Sequence, residues 1–347
     1  MGEQGARPAI TRILIVGHGS AGKRHLRLAR QFHPNANIRV LRHRECDLVP
    51  EFADGCFFDL QSALHFAPEI AIVANPAPFH MGAAIPLAEC GAHLLIEKPL
   101  ADSIADIPRL IELCERKKRV LMTGYNLRFL PSLIRFRDLV HGGELIGRVV
   151  SIRCEIGQYL PNWRPESDYR TGVSARKALG GGALLELSHE IDYLRWIFGE
   201  VAWVKASLLC QSDLEIDVED TAHLILCLRP PLGTREVAAS VNMDFLRHDT
   251  TRLCTAIGTS GTMRWNGLTG QIELFRPAAE RWFEVFRYQH GRDDSYIAEW
   301  KHFLSCVNHV QTPLVSGMDG LRVLETIEAI RGASASGCAA QVKGRGK

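Results

Sequence analysis

The first third of the chain alternates short apolar runs with segments of helical periodicity. Apolar runs at 13–16, 38–41, 70–74, 93–96 and 120–122 predict strands, and the segments 20–32, 80–90 and 103–116 predict helices. Strands that are apolar at every position are typical of a parallel sheet covered on both faces. Because connections between parallel strands are right-handed, the alternation predicts a doubly wound α/β sheet.

A glycine pattern lies between the first predicted strand and the first predicted helix, in the order Gly17-x-Gly19-x-x-Gly22. In this context, the first glycine permits a tight turn, the second lets a pyrophosphate approach the backbone, and the third lets the helix pack closely on the strand. The helix N-terminus then offers unpaired N–H groups to the phosphates. An ordinary strand-to-helix turn without a ligand is the alternative. The other residues of this turn that we assign to cofactor binding are His18, Ser20 and Ala21.

The end of the second predicted strand bears on the choice between NAD and NADP. An acidic residue there accepts hydrogen bonds from the adenosine ribose of NAD. This chain has Arg42, His43 and Arg44 instead. Because a guanidinium pairs with a 2′-phosphate, we predict binding of NADP or NAD with a preference for NADP, through Arg42, Arg44 and His43. The alternative is that the two arginines are solvated surface charges.

Length and composition bound the remaining possibilities. A chain of 347 residues exceeds one hydrophobic core, and 46% apolar with 23% charged residues is typical of a soluble globular protein. A net charge of +2 predicts neither a nucleic-acid nor a membrane partner. The ten cysteines form no CxxC pair and no zinc-like cluster, so we expect reduced thiols and no metal. Since we also find no signal peptide and no membrane span, we expect a cytoplasmic protein.

Two further motifs follow the third and fourth strands: Asn75-Pro76-Ala-Pro-Phe-His80 and Glu97-Lys98-Pro99. Together with the glycine pattern, which continues to His25, they make the chain resemble the glucose–fructose oxidoreductase / inositol dehydrogenase (Gfo/Idh/MocA) family. The resemblance continues through segments 124–129, 180–182, 189–192, 258–261 and the region around 296–303, so it covers essentially the whole chain. By this resemblance, we assign further cofactor contacts to Asn75, Pro76, His80, Glu97 and Lys98.

The resemblance implies an N-terminal Rossmann domain, residues 1–124, and a C-terminal α/β domain, residues 125–347, with a large, open, mainly antiparallel sheet. Helices between about 294 and 332 are expected to pack back on the Rossmann half, and the open sheet to form a homodimer or homotetramer. Long strand patterns at 149–156, 221–228, 236–241 and 281–288 agree with such a sheet. We expect helices at 294–307 and 321–331, followed by a frayed tail over 332–347.

The resemblance also implies the catalytic residues. Lys98 hydrogen-bonds the reacting oxygen and favours its alkoxide-like state, and His189 takes the hydroxyl proton. An imidazole suits that role because its ordinary pKa lies near neutral pH. The family usually has an Asp four residues before this histidine; here that position is Leu185, and Glu186 is the nearest acid. On a helix that continues through Phe198, Glu186 and His189 would share a face, so we assign Glu186 to orient the histidine.

Substrate contacts are expected from several places. A loop from 158 to 170 combines aromatic, cationic and acidic groups and resembles that of family members acting on sugars in surface-polysaccharide or nonulosonic-acid pathways. The alternative for this loop is a packed interdomain or subunit loop. Asn126 and Arg128 lie before the loop in the sequence, and the alternative for them is a structural hinge. The residues that we assign to substrate binding are Asn126, Arg128, Trp163, Arg164, Tyr169, Arg170 and Tyr193.

These patterns predict an NAD(P)-dependent oxidoreductase that acts on a secondary alcohol or keto group of a sugar, sugar nucleotide or cyclic polyol. Two alternatives stay open. One is different chemistry on the same scaffold, such as redox-assisted glycoside hydrolysis, double-bond reduction or dehalogenation, since fold alone does not decide the reaction. The other is a non-catalytic regulator that binds a dinucleotide.

Overall fold

The computed structural model describes residues 10–43, 48–230 and 235–344. The chain forms two compact units. The first comprises residues 1–101, 105–124 and 300–317, and the second comprises residues 102–104, 125–299 and 318–347. Each unit has its own sheet.

The first unit contains a six-stranded sheet in the order β3-β2-β1-β4-β5-β6, in which every neighbouring pair is parallel. This order confirms the doubly wound sheet, and its direction reverses between β1 and β4, where ligands bind in such folds. The strands are β1 (Arg12–Val16), β2 (Asn37–Leu41), β3 (Gly55–Phe57), β4 (Ile70–Val73), β5 (His93–Glu97) and β6 (Leu121–Gly124).

Four helices connect these strands: α1 (Ser20–Phe32), α2 (Leu60–His65), α3 (His80–Glu89) and α4 (Ile107–Arg116). The bounds of α1 are those predicted from its periodicity, and Gly91 follows α3 with a φ of +89° as a C-terminal cap residue. Helix α4 begins later than predicted because Pro108 occupies its first turn, where proline favours helix initiation. The short elements β3 and α2 escaped prediction because neither is long enough to establish a period.

The second unit contains a nine-stranded sheet in the order β14-β13-β12-β11-β7-β10-β9-β8-β15. Among the described strands, β7 and β10 form a parallel pair and the other neighbours are antiparallel, which confirms the mainly antiparallel sheet. The strands are β7 (Val149–Gly157), β8 (Glu200–Leu209), β9 (Thr221–Arg229), β10 (Val237–Asp244), β11 (Thr251–Gly258), β12 (Thr262–Asn266), β13 (Gln271–Arg276), β14 (Arg281–Arg287) and β15 (Ala340–Gln341).

Helices cover one face of this sheet. Those that contact it are α5 (Pro131–Gly142), α6 (Ala183–Glu186) and α7 (His189–Phe198). Two further helices follow β14 in the chain: α8 (Asp294–Val307), whose residues from 300 onward group with the first unit, and α9 (Gly317–Ser336). Along β10, residues 237, 239, 241 and 243 are buried and residues 238, 240 and 242 are exposed. This alternation leaves the opposite face of the sheet open. Among the described helices, none combines the length and apolarity needed to cross a bilayer.

Single 3₁₀ turns occur between the larger elements. They lie at Ala77–Phe79, Asn126–Phe129, Leu160–Asn162, Tyr169–Thr171, Val173–Ala175, Lys177–Leu179 and Pro277–Ala279. The sixth strand of the first unit, β6, ends at Gly124, two residues beyond the predicted run at 120–122. Tyr125 precedes the turn at Asn126–Phe129 and groups with the second unit.

The prediction of a frayed tail from residue 332 is wrong for the described part of that segment. Helix α9 continues to Ser336, and β15 pairs with β8 at the edge of the nine-stranded sheet. The Ser334 hydroxyl also accepts a hydrogen bond from the Leu208 N–H at 2.9 Å.

Candidate active site

The glycine turn of the first unit is closely packed at two of its three glycines. Gly17 has a φ of +92°, and a Cβ there would lie 2.7 Å from the Asn75 nitrogen. A Cβ on Gly22 would lie 2.2 Å from the Gly17 carbonyl oxygen. Side chains are therefore excluded at both positions. The turn holds the start of α1 directly against the end of β4.

The middle glycine faces open space. A Cβ on Gly19 would meet no heavy atom of the described chain within 4 Å. Gly19 precedes α1, and no side chain of the described residues caps that helix. The backbone N–H groups of Ser20 and Ala21, in the first turn of α1, therefore have no side-chain acceptor there. Free N–H groups, the positive end of a helix dipole and an open approach fit a dinucleotide pyrophosphate.

Positive charge surrounds this turn. Partial burial, followed by the charges of Arg42 and Lys23, lowers the pKa of His18, so its imidazole is neutral at pH 7. Arg42 follows β2, and its backbone N–H donates to the Phe57 carbonyl at 2.9 Å. His43 is exposed, and Arg44 lies outside the described residues. The potential here attracts an anionic group.

The ends of β4 and β5 are joined by one buried imidazole. His80 is 1% exposed, and its Nε2 lies 2.7 Å from the Asn75 carbonyl oxygen. Its Nδ1 lies 3.2 Å from the Leu100 carbonyl oxygen, just beyond the cis Lys98–Pro99 bond. His80, one of the predicted cofactor contacts, therefore ties together the segment containing Asn75 and Pro76 and the segment containing Lys98.

Glu97, the last residue of β5, is 7% exposed and directed inward. One carboxylate oxygen, Oε2, accepts the backbone N–H of Lys98 at 3.1 Å, and the other, Oε1, lies 3.0 Å from His25 Nε2. A Cβ on the neighbouring Gly124 would lie 3.1 Å from the Glu97 Cα, so this glycine leaves room for Glu97. Glu97 therefore supports the backbone at Lys98.

In the second unit, the glycine segment before His189 is tightly folded. Gly180 and Gly182 have φ values of +78° and +108°, and a Cβ on Gly181 would lie 2.4 Å from the Val173 carbonyl oxygen. The prediction of one helix through Phe198 is wrong, because the chain forms α6 and α7 with a break at residues 187–188. Across the break, the Ser188 and Glu190 N–H groups bond to carbonyl groups three residues earlier, as in a 3₁₀ turn. The regular α-helical spacing between Glu186 and His189 is therefore interrupted.

Glu186 ends α6, and its Oε2 accepts a hydrogen bond from the Ser174 hydroxyl at 2.8 Å. His189 begins α7 and is half-buried. Its ring meets Tyr125 edge-on, with centroids 5.5 Å apart and an angle of 81° between the planes. The buried Tyr125 hydroxyl donates to Ser188 at 3.3 Å, so its ring is a rigid support for the imidazole.

Three predicted substrate contacts have their polar groups engaged inside the second unit. Arg128 is 2% exposed and binds both carboxylate oxygens of Asp192 at 2.6 and 2.9 Å, together with Asp319 at 3.1 Å. Asn126 donates to the Ser295 hydroxyl at 2.7 Å. Tyr193 is fully buried, and its hydroxyl lies 3.0 Å from a cysteine sulfur within the core.

Asp192, the ion-pair partner of Arg128, lies on α7 three residues after His189. Although burial disfavours its charged form, the Asp192 carboxylate raises the pKa of Arg128. The guanidinium is therefore charged and paired, and a bidentate geometry of this kind fixes both partners. Asp192 thereby anchors the first turn of α7, which carries His189.

The aromatic loop from 158 to 170 is exposed in part. Trp163 donates its indole N–H to the Gln158 carbonyl at 3.2 Å. Arg170 bonds to the carboxylates of Asp168 at 2.9 Å and Glu215 at 3.0 Å. The Tyr169 hydroxyl accepts the Glu215 N–H at 3.3 Å. Arg164 is exposed, and within the described ranges no carboxylate pairs with it.

Two family models match this chain. The NAD-binding Rossmann fold of the oxidoreductase family matches residues 11–125, and the C-terminal alpha/beta domain of that family matches residues 137–342. The chain belongs to the Gfo/Idh/MocA oxidoreductase family. It is an oxidoreductase, and residues 11–125 match the family's NAD-binding domain.

Similar proteins include two named dehydrogenases. Levoglucosan dehydrogenase of Pseudarthrobacter phenanthrenivorans is 32% identical over 145 residues, which is 41% of this chain and 36% of that enzyme. The sequence match therefore spans about a third of that enzyme's length. Myo-inositol 2-dehydrogenase of Thermotoga maritima is 26% identical over 265 residues, which is 74% of each chain.

Solved structures confirm the fold. A levoglucosan dehydrogenase in complex with NADH has a TM-score of 0.82 at 21% identity, covering 96% of this chain and 99% of that one. The WlbA dehydrogenase from Bordetella pertussis, in complex with NADH and UDP-GlcNAcA, has a TM-score of 0.77 at 21% identity, with the same coverage.

The sequence analysis assigned no role to His25, which contacts Glu97, or to Trp300, which contacts His25. His25 lies within the glycine motif quoted above, so that motif could have indicated its role. Trp300, whose indole N–H donates to His25 Nδ1 at 2.9 Å, is 275 residues away in sequence. No local pattern relates residues so far apart, and the contact required the tertiary structure.

Proposed function

We propose that this enzyme transfers a hydride between a nicotinamide cofactor and a secondary alcohol or keto carbon of a sugar, sugar nucleotide or cyclic polyol. One observation carries the proposal most directly. His80 joins the ends of β4 and β5, so Lys98 lies at the same sheet edge as Asn75 and the glycine turn. Substrate and cofactor meet at this edge in doubly wound folds.

The cofactor, when bound, accepts or supplies the hydride at its nicotinamide ring. The residues that would hold it are those of the glycine turn, which exposes backbone N–H groups, and the segment that begins at Asn75. Lys98 would donate a hydrogen bond to the reacting oxygen. Its ammonium would stabilise the negative charge that develops there as the C–H bond breaks.

His189 would take the hydroxyl proton as the hydride leaves the same carbon, and return it in the reverse direction. Glu186, held by Ser174, would bind a substrate hydroxyl or orient the imidazole. Asp192 and Arg128 are positioning residues, because they form an ion pair with each other and this pair anchors α7. Tyr125 would limit the rotation of the His189 ring.

The preference for NADP rests on Arg42. After partial burial, its guanidinium is the next cause that lowers the pKa of His18, and the strand end carries no acidic side chain at positions 42–43. The Arg42→Ala variant should raise KM for NADP by roughly tenfold to a hundredfold, the effect of one charge-assisted hydrogen bond, and leave KM for NAD nearly unchanged. A wild-type kcat/KM that is higher with NAD would contradict this preference.

Substrate recognition is proposed for the loop containing Trp163, Arg164 and Tyr169. Arg170 is neutralised by two carboxylates, so Arg164 is the better candidate to bind an anionic group. This favours a sugar acid or sugar nucleotide, of the kind used in surface-polysaccharide or nonulosonic-acid synthesis. The bound UDP-GlcNAcA in the structurally similar WlbA dehydrogenase supports the same class. Arg164→Ala should lower kcat/KM for anionic substrates selectively; an equal effect on neutral sugars would exclude an anion contact.

We also propose a cytoplasmic homodimer or homotetramer that assembles through the open face of the nine-stranded sheet. Ile225 in β9 is 43% exposed on that face, an unusual position for a large apolar side chain in the middle of a sheet. Small polar residues around it, such as Ser240, leave the face flat.

The proposed reaction is tested by following NAD(P)H absorbance with inositols, free sugars, sugar acids and sugar nucleotides. Wild-type enzyme should turn over at least one class, and the Lys98→Met and His189→Asn variants should bind the cofactor but lose turnover. Product formation without net change in NAD(P)H would favour redox-assisted chemistry. Cofactor binding with no turnover of any substrate would favour the regulator.

A further inference from the structure

A buried chain of three side chains lies behind Lys98 in the first unit. Trp300 and His25 are both fully buried, and the Trp300 indole N–H donates to His25 Nδ1 at 2.9 Å. His25 Nε2 lies 3.0 Å from Glu97 Oε1. Trp300 is also stacked on Phe32 of α1, with ring centroids 6.0 Å apart and planes at 15°.

The hydrogen-bond donor of Trp300 determines which ring nitrogen of His25 carries the proton. An indole N–H can only donate, so Nδ1 of His25 must be an acceptor without a proton. The proton of the neutral ring therefore lies on Nε2, where it is donated to the Glu97 carboxylate. An imidazolium would place two N–H donors against each other at Nδ1. Trp300 thus selects the neutral Nε2–H form of His25.

Glu97 links His25 to the backbone of Lys98. Its second oxygen, Oε2, accepts the Lys98 backbone N–H at 3.1 Å, so each carboxylate oxygen holds a donor from a different element. Burial alone would raise the pKa of Glu97, but the hydrogen bond from His25 and the charge of Lys98 lower it. The carboxylate is therefore ionised at neutral pH and can accept both bonds.

We propose that Trp300, His25 and Glu97 form a positioning relay that fixes the backbone of Lys98 and the tautomer of the histidine behind it. The relay rests on the proposed catalytic role of Lys98. It assigns a role to α8 in the chemistry of the first unit, because Trp300 lies on that helix. A fixed backbone reduces the directions in which the lysine ammonium can point, which matters since a misplacement of about 1 Å can cost a hundredfold in rate.

Two conservative variants test the relay. Glu97→Gln keeps the shape but places an amide N–H₂ against one of the two donors, so kcat should fall roughly tenfold to a hundredfold, as for one charge-assisted hydrogen bond. Trp300→Phe keeps an aromatic ring beside Phe32 but removes the N–H, so kcat should fall about two- to tenfold. KM for the cofactor should change little in Trp300→Phe, because that residue has no assigned contact with the cofactor and the glycine turn is untouched.

A second readout does not depend on turnover. The ¹⁵N chemical shifts of the His25 ring should report a proton on Nε2 and none on Nδ1 in wild-type protein. In Trp300→Phe no indole N–H faces Nδ1, so the Nδ1 resonance should move toward that of an acceptor without a hydrogen bond. This measurement remains informative even if the protein oxidises no sugar or polyol, and therefore separates the relay from the proposed function.

A matched control distinguishes positioning from general stability. Glu69→Gln makes the same chemical change where Glu69 Oε2 accepts the backbone N–H groups of Thr11 and Arg12, at the amino end of the same sheet. It should lower the unfolding temperature without lowering kcat. If Glu97→Gln likewise lowers only the unfolding temperature, or if the Nδ1 resonance of His25 is the same in wild-type protein and in Trp300→Phe, the relay is refuted.

Discussion

Gly19 offers the sharpest test of the cofactor site, because its surroundings separate binding from folding. Its φ and ψ of −76° and −167° are allowed for any residue, and an added Cβ meets nothing within 4 Å. The Gly19→Ala variant should therefore fold with an unchanged unfolding temperature. The new methyl group would occupy the space in which a pyrophosphate must approach the N-terminus of α1.

The magnitude follows from the contacts at stake. A methyl group that keeps the phosphates about 1 Å away would weaken one or two charge-assisted hydrogen bonds from the helix N–H groups, each worth about 1.5–3 kcal/mol. Since about 1.4 kcal/mol is tenfold in affinity, the cofactor dissociation constant should rise roughly tenfold to a hundredfold. Calorimetric titration with NADH and NADPH measures it directly.

Two other glycines provide matched comparisons. The Gly22→Ala Cβ would lie 2.2 Å from the Gly17 carbonyl oxygen, so this variant should lose both affinity and roughly 1–3 kcal/mol of stability through overpacking. Gly82, inside α3, has nothing within 4 Å of its Cβ, and Gly82→Ala should leave affinity unchanged. If Gly19→Ala binds either cofactor as tightly as wild type does, the turn is not the phosphate site.

Four further outcomes are expected. Lys98→Met should reduce kcat roughly 10²–10³-fold, as for loss of an oxyanion-stabilising donor; a smaller loss would exclude direct contact with the reacting oxygen. Ser174→Ala should change KM or kcat less than Glu186→Gln does, since Ser174 acts only through that carboxylate; the reverse order in steady-state kinetics would contradict this. His93 has a pKa lowered to about 4, first by burial and then by neighbouring cations. Because the unfolded state then binds the extra proton, stability should fall by roughly 2 kcal/mol as the pH drops from about 6.5 to 4, measured by urea unfolding, and His93→Gln should flatten that slope. Ile225→Asp should shift the mass measured by light scattering toward the monomer; an unchanged mass would place the assembly surface elsewhere.

Much of the fold follows from periodicity and from a few special residues. The bounds of α1, five of the six parallel strands and the glycine turn were predicted, because buried parallel strands are apolar throughout and a helix–strand turn that binds phosphate requires glycine at fixed positions. The Glu97-Lys98-Pro99 segment was placed at a strand end for the same reason. Local sequence determines these features, since neighbours along the chain produce them.

Other features depend on residues that are distant in sequence. The break between α6 and α7 interrupted the helical spacing of Glu186 and His189, and it could not be predicted because no proline or glycine occurs there. The engagement of Arg128 with Asp192 and Asp319 likewise became visible only in the folded unit, because an ion pair depends on which side chains share a buried space.

The sequence by itself determined the alternation of strands and helices, the location of the phosphate turn and the identity of the candidate lysine and histidine. Only the tertiary structure decided which polar groups form internal hydrogen bonds or ion pairs. It also decided which residues support Lys98, as Trp300 and His25 do through Glu97. The physical reason is that backbone preference acts between neighbours, whereas hydrogen-bond partners in a core are chosen by packing across the whole chain.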